Sequence, residues 1–288
     1  MKKPITKLKI GDKVGQYGIW KGEERGVYDI RNKLNNLTGK EWLKLTKSVW
    51  KSEKCVDDKI AFEHPAPFLI KDIIKLVTLF TKKNAIVLDP FVGSGTTLAA
   101  CALEGRRGIG IDLNKKYCEL MKRRLKKYIK NGQLIINGNS LKKIEDLPEI
   151  DYCVTSPPYH NILRHNGGGV RQDRSQKRQG VEYYSNDQYD LGNQKEYQQY
   201  RNMLEKIMDK VYKKLKKGKY CSIIISDFTI NKKETNVHGD TIELMNRIGF
   251  SFEGAVTLVQ DSKPLYPFGY PYAYKINHHH QYILNFRK

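Results

Sequence analysis

The stretch that most constrains this chain is Leu88-Asp89-Pro90-Phe91-Val92-Gly93-Ser94-Gly95-Thr96-Thr97. Ala85-Ile86-Val87-Leu88 leads into it and reads as a short buried strand. Leu98-Ala99-Ala100-Cys101-Ala102-Leu103 follows and reads as a helix ended by Gly105. Strand, glycine turn and helix in that order gather free N–H groups and the positive end of a helix dipole at one spot. Glycines, lacking Cβ, let a ligand approach the backbone there. Asp89 adds a carboxylate at the strand end, facing the same crevice. The pattern fits a nucleoside-bearing ligand at the carboxyl edge of a parallel sheet; an ordinary βα turn is the rival reading of this stretch alone. No lysine follows Gly95, so the pattern of triphosphate-binding loops is not met.

The alternation continues along the chain. Apolar runs at 108–111, 134–136, 152–154 and 222–225 read as further strands, ending near Asp112, Asn139, Ser156 and Asp227. Amphipathic periodicity predicts helices from Phe68 to about Leu79, from about Lys115 to Lys130, from about Lys195 to Lys217 with Gly218 as its stop, and from Thr241 to Arg247. The basic residues Lys122, Arg123, Arg124, Lys126 and Lys127 read as a solvated helix face. Phe252–Val259 and His280–Phe286 read as a closing antiparallel pair with a long connection. The expected fold is α/β: a doubly wound, mostly parallel seven-stranded sheet closed by that hairpin. Residues 1–60 read as a polar N-terminal extension, a DNA-contacting segment by its place, and 61–288 as the main domain.

Composition narrows the partner. The 288 residues carry 52 basic and 31 acidic side chains, a net charge of +21, which points to a polyanion and above all to nucleic acid. The five cysteines form no CxxC pair, so neither a zinc site nor a disulfide framework is indicated, no metal is expected, and a reducing cytoplasm fits. There is no signal-like apolar N-terminus and no run of about 18 apolar residues, so no membrane span is expected. From His160 to about Gln194 the periodicity disappears, and Gly167-Gly168-Gly169 lies beside Arg171, Arg174, Lys177 and Arg178. This reads as a mobile insert, around 160–194, that contacts DNA phosphates.

A second motif, Thr155-Ser156-Pro157-Pro158-Tyr159, ends the fourth strand. Two prolines cannot continue a ladder and fix φ, so the carbonyls of Ser156 and Pro157 stand in a rigid turn beside an aromatic ring. Such a turn can accept hydrogen bonds from an NH₂ group while Tyr159 stacks on a flat base. No cysteine follows a proline, so a covalent route through a Pro-Cys nucleophile has no candidate.

At this point the chain resembles the S-adenosylmethionine-dependent DNA amino-methyltransferases of restriction–modification systems, over roughly residues 38–288. Asp89–Thr97 looks like their cofactor motif, Ser156-Pro157-Pro158-Tyr159 like their catalytic tetrad in its serine form, and His64-Pro65-Ala66-Pro67-Phe68 like the segment preceding the cofactor motif. The resemblance implies a class I, Rossmann-like methyltransferase that binds S-adenosylmethionine through Pro65, Phe68, Asp89, Phe91, Gly93, Gly95, Thr96, Asp112 and Asn139. Asp112 would hold the ribose hydroxyls, Asp89 would lie near the amino-acid part, and Asn139 would read the adenine amine. Relatives often carry Asp or Glu at the position of Asn139 and a lysine in the segment at 64–68; this chain does not. The cofactor segment here precedes the catalytic one, whereas many serine-type relatives have the reverse order, and no large recognition domain is left over. The implied reaction is methylation of the N4 amine of cytosine in double-stranded DNA. N6-adenine methylation, an RNA or protein substrate, and a non-catalytic nucleic-acid-binding protein of the same fold are the rivals. The resemblance leaves open a cognate restriction endonuclease as partner, and both monomer and homodimer.

Overall fold

The computed structural model describes residues 8–64, 67–126, 128, 132–160, 189–230 and 233–288. The expected phosphate contacts at Arg171, Arg174, Lys177 and Arg178 lie outside the described residues, as does Pro65. In chain order, β1 (Lys13–Val14), β2 (Gly18–Trp20) and β3 (Val27–Asp29) form a small antiparallel meander. Helix α1 (Gly39–Leu45) starts at Thr38, whose hydroxyl accepts from the Glu41 N–H while the Glu41 carboxylate accepts from the Thr38 N–H, a reciprocal cap. Next come β4 (Val49–Lys51), α2 (Ile70–Phe80), β5 (Ile86–Asp89), α3 (Thr96–Leu103), β6 (Arg107–Asp112), α4 (Lys115–Leu125), β7 (Leu134–Asn137), α5 (Ser140–Lys143) and β8 (Ile150–Thr155). The chain finishes with α6 (Tyr197–Lys214), β9 (Leu215–Ile225), the hairpin β10 (Phe228–Ile230) and β11 (Lys233–Thr235), α7 (Val237–Ile248), β12 (Ser251–Val259) and β13 (His280–Arg287).

One sheet dominates, in the order β4-β12-β13-β9-β8-β5-β6-β7. Strands β9, β8, β5, β6 and β7 run parallel. Strand β13 is antiparallel to both β9 and β12, so it slots between them rather than forming an outer hairpin arm. Seven of the strands are those read from the sequence. The eighth is β4, which pairs parallel with β12 through Val49, Trp50 and Lys51, so residues of the N-terminal stretch share the main sheet.

Alternation along the strands splits the core into two layers. Leu88 points with Ile109 and Ile111 toward α6 and α7, meeting Tyr200, Leu204, Ile207, Met208, Leu244 and Met245. Val87 points the other way with Tyr152, Val154 and Ile224 toward Ile73, Leu76, Val77 and Phe80 of α2. Each such large apolar side chain contributes roughly 1.5–3 kcal/mol when fully buried. A buried polar thread crosses the sheet: Tyr152 donates to the Ser222 hydroxyl at 2.7 Å, and Ser222 donates to Asn285 Oδ1 at 2.7 Å. It ties β8, β9 and β13 together and leaves none of its three members unsatisfied.

Gly218 does not stop a helix. Helix α6 ends at Lys214 and β9 begins at once. Gly218, with φ +75°, lies inside β9, where the register against β8 slips between the Ile150–Leu215 and Tyr152–Tyr220 pairs. A bulge there needs the left-handed conformation that glycine adopts at little cost. No helix among the described residues is long and apolar enough to cross a membrane.

Candidate active site

Because β9, β8, β5, β6 and β7 are parallel, their carboxyl ends open onto one edge. A cleft of about 890 Å³, counting its open mouth, lies there. Its lining includes Phe91, Val92, Gly93 and Ser94 after β5, Asp112 at the end of β6, Asn139 after β7, and Ser156 to Tyr159 after β8. The two motifs thus share one cavity. His64, Phe68 and Tyr117 complete one wall and Tyr189, Asp190 and Leu191 another.

The carboxylate of Asp112 accepts from the Gly93 N–H at 2.9 Å and from the Asn114 N–H at 2.8 Å. It therefore welds the glycine turn to the start of α4 while still facing the cleft. Burial pushes its pKa up to about 7, against those hydrogen bonds and helped by the nearby carboxylates of Asp190 and Asp89. Asp190 is buried, and its carboxylate accepts from the Gly192 N–H at 2.9 Å. Tyr117 packs edge-on against His64, ring centroids 4.4 Å apart, and its phenol is pushed up to about 12 by burial and by the carboxylates of Asp112 and Asp190.

The glycines divide their labour. Gly93 has φ +51°, and a Cβ there would stand 3.0 Å from His64 Nε2, on the cleft side. Gly95 has φ +83° and caps α3, but a Cβ there would stand 2.7 Å from Met121 Cγ. Gly95 thus serves the packing of α3 against α4 and does not line the cleft. Asp89 is also out of it, beneath the turn: its carboxylate accepts from Thr155 Oγ1 at 2.6 Å, Thr97 Oγ1 at 2.5 Å and the Phe91 N–H at 3.1 Å. Burial pushes its pKa up to about 6. Thr97 at the start of α3, Thr155 at the end of β8 and Phe91 in the turn are thereby held by one carboxyl group. Asp89 sets the geometry of the two loops from beneath them. Asn139 lines the cleft but also caps α5, accepting from the Leu141 N–H at 2.9 Å. Its neighbour Ser140 donates to the Pro90 carbonyl at 2.6 Å.

The phenol of Tyr159 accepts from Gln281 Nε2 at 2.8 Å, and its ring meets Phe228 edge-on at 5.8 Å. Burial raises its pKa, opposed by hydrogen bonds to Gln281 and Ser156. The ring is therefore locked by β13 on one side and by β10 on the other.

Arg124 is a correction to the solvated face read into α4. It is 4% exposed. Its guanidinium donates to the Ser94 carbonyl at 3.1 Å, to Thr96 Oγ1 at 2.8 Å and to the Asp57 carbonyl at 3.4 Å, and it lies 3.8 Å from the buried Asp58 carboxylate. Thr96 in turn donates to the Phe68 carbonyl at 3.1 Å. One buried cation thus fastens the glycine turn to the segment that carries His64 and Phe68. Lys122, Arg123 and Lys126 are exposed as expected, Arg123 pairing with Glu63 and Lys122 lying 3.2 Å from Glu119, while Lys127 lies outside the described residues.

A parallel α/β core with a late antiparallel strand slotted into it, a glycine turn after its central strand and a carboxylate ending the next defines the Rossmann-like methyltransferase class. TrmN from Thermus thermophilus shares the fold, with a TM-score of 0.50 and 14% identity over 81% of this chain and 52% of that one. Within the class, the chain belongs to the DNA methylase family of the N6/N4 type, whose model it matches over residues 11–123 and 150–288. It is similar to the orphan methyltransferase M.BamHII of Bacillus amyloliquefaciens, 33% identical over 44% of this chain and 51% of that protein. The type II methyltransferase M2.LlaDCHI of Lactococcus lactis subsp. cremoris is 36% identical over 35% of each chain. The matches thus span about half of the first of these curated relatives and about a third of the second.

Proposed function

We propose that this chain is an S-adenosylmethionine-dependent DNA methyltransferase that methylates the N4 amine of cytosine in duplex DNA. The observation that carries the reading is that the glycine turn with Asp112 and the Ser156–Tyr159 turn line one cleft. Family membership supports methylation of an exocyclic amine, and Ser156 at the head of the tetrad favours cytosine over adenine.

The cleft suits the cofactor. Its walls are largely apolar and aromatic, and its charged lining residues among those described are Asp112 and Asp190, with no lysine or arginine. In a chain of net charge +21 that is a local reversal of sign. It suits a ligand bearing positive charge and hydroxyl groups and disfavours a polyphosphate. Asp112 would take the ribose hydroxyls, Asn139 the adenine edge, and Phe91 and Phe68 the flat and apolar parts. When bound, the cofactor supplies an electrophilic methyl group on a sulfonium sulfur.

The chain's own residues then position the nucleophile. A base in a duplex cannot reach this cleft, so it must be flipped out. Tyr159, held by Gln281, offers a fixed face to the base. Ser156 and the Pro157 carbonyl accept from the two N–H groups of the exocyclic amine, favouring a pyramidal nitrogen whose lone pair points into the cleft. Both acceptors are neutral, so the amine keeps its protons until it has reacted. Positioning of this kind is worth on the order of 7–11 kcal/mol at best.

The test is mass spectrometry of nucleosides from duplex DNA incubated with the protein and methyl-labelled cofactor. Label in N4-methylcytosine is expected, with Ser156→Ala slower by roughly tenfold or more, since a hydrogen bond gaining charge is worth about 1.5–3 kcal/mol. Label in N6-methyladenine would refute the base assignment. Label in RNA or protein alone would refute the substrate. Cofactor binding with no transfer would leave a non-catalytic binding protein.

A further inference from the structure

Between β12 and β13 the chain leaves the sheet at Val259 and returns at His280. Since β12 runs parallel to β4 and antiparallel to β13, this connection projects from the same edge as the catalytic turn. Its base is tied to the site. The Gln260 amide donates to Gln281 Oε1 at 3.0 Å, and Gln281 donates to the Tyr159 phenol at 2.8 Å.

The connection is built, not slack. The Asn277 side chain accepts from the Tyr266 N–H at 2.9 Å and donates to the Tyr266 carbonyl at 2.8 Å, closing the loop. At its tip Gly269, with φ +77°, accepts from the N–H groups of Tyr272 and Ala273 at 2.8 and 2.7 Å. On this scaffold Phe268, Tyr270, Tyr272 and Tyr274 recur at every second residue. Tyr270, Tyr272 and Tyr274 are 81%, 95% and 88% exposed. Three nearly bare aromatic rings within five residues, on a loop ordered by its own hydrogen bonds, are costly to leave in water without a partner. Lys263 and Lys275 stand in the same loop.

We propose that this loop is a DNA-contacting clamp whose Tyr270, Tyr272 and Tyr274 stack on bases of the duplex beside the flipped nucleotide. The inference rests on the proposed function, which requires a gap in the duplex at this edge. Rings with two χ angles on a fixed turn lose little entropy on stacking. Bases next to an extruded nucleotide expose the π-faces such rings can cover. The lysines supply the phosphate contacts that accompany stacking. A DNA duplex is favoured over a protein partner by the chain's charge of +21 and by the loop's tie to Tyr159 through Gln260 and Gln281.

The experiment measures binding of fluorescent fragmented genomic duplex DNA by anisotropy across a salt series, and of S-adenosylmethionine by calorimetry. The triple variant Tyr270→Ala/Tyr272→Ala/Tyr274→Ala should bind DNA at least tenfold more weakly with the parent's salt slope, because stacking releases no counterions. The triple Tyr→Phe variant should stay within about threefold of the parent, and both should bind the cofactor like the parent. DNA binding by the triple alanine variant equal to the parent's overturns the clamp while leaving the proposed function intact. A parent that dimerises through these rings, with a monomeric alanine variant of unchanged DNA affinity, also overturns it. A parent that binds cofactor but no DNA of any sequence overturns the proposed function, and the clamp with it.

Discussion

Arg124→Met is the most informative single change. Methionine keeps a long unbranched stem and a good helix propensity, so the change removes the guanidinium and little else. Lost are the donors to the Ser94 carbonyl, Thr96 Oγ1 and the Asp57 carbonyl, and the cation facing Asp58. Breaking a buried ion pair from one side costs about 3–5 kcal/mol. Here the lower end applies, because Asp58 also accepts from the Cys55 and Ile70 N–H groups at 2.8 and 2.9 Å and lies 3.8 Å from the guanidinium. For a chain of this size roughly 3 kcal/mol lowers Tm by about 6–12 °C. The control is Arg123→Met one residue earlier, whose exposed pairing with Glu63 should be worth no more than about 1 kcal/mol. Scanning calorimetry of both variants decides the matter. Cofactor calorimetry below the transition should also show weaker binding for Arg124→Met, since the glycine turn and the His64–Phe68 segment lose their common anchor. Equal Tm shifts in the two variants would refute the reasoning and return Arg124 to the solvated face.

Asp112 and the two glycines of the turn give sharper contrasts. Asp112, pushed up to about 7 by burial, should make S-adenosylmethionine affinity fall several-fold in calorimetry between about pH 8 and pH 6, and Asp112→Asn should flatten that profile. For stability the sign is opposite. The folded pKa lies above the ordinary 3.8, so between those values the folded state binds more protons, and Asp112's contribution to stability falls as pH rises. Gly95→Ala, with its Cβ set against Met121, should lower Tm by the equivalent of about 1–3 kcal/mol while the folded fraction keeps the parent's cofactor affinity. Gly93→Ala, with its Cβ facing His64 in the cleft, should instead weaken the cofactor measurably.

The parallel core was legible because each of its strands is an apolar run ending in a polar residue, and five such runs alternate with helical periods. Other features were not. Strand β4 is three residues long, and only Trp50 within it is buried, so no period-2 pattern can build up. Near the start of β9, Lys216, Lys217, Gly218 and Lys219 look like a helix tail and its glycine stop. Only tertiary pairing reveals otherwise: Gly218 donates to the Lys288 carbonyl and Lys288 to the Lys219 carbonyl. A C-terminus hundreds of ångströms of chain away cannot be seen in a local window.

The site shows the same division for a chemical reason. Residues that would face a ligand were visible because motif chemistry places them at strand ends, as with Asp112 and Ser156. Residues that support them were not, because a supporting role depends on what a side chain meets and not on what it is. Arg124 stands among Lys122, Arg123 and Lys126, and what sets it apart is not its type but its place at helical spacing behind Tyr117, Leu120 and Met121, on the buried stripe of the helix. Asp89 looks like a ligand group by position, and its oxygens accept from Thr97, Thr155 and Phe91, two of them in the glycine motif and one just before the Ser156–Tyr159 turn. The two motifs are thus joined through a carboxyl group buried beneath the glycine turn. Its conjunction in one sequence with a threonine just before Ser156 is the detail that links them: Asp89 and Thr155 sit on neighbouring strands, and the hydrogen bond between them sets how far the Ser156–Tyr159 turn stands from the glycine turn.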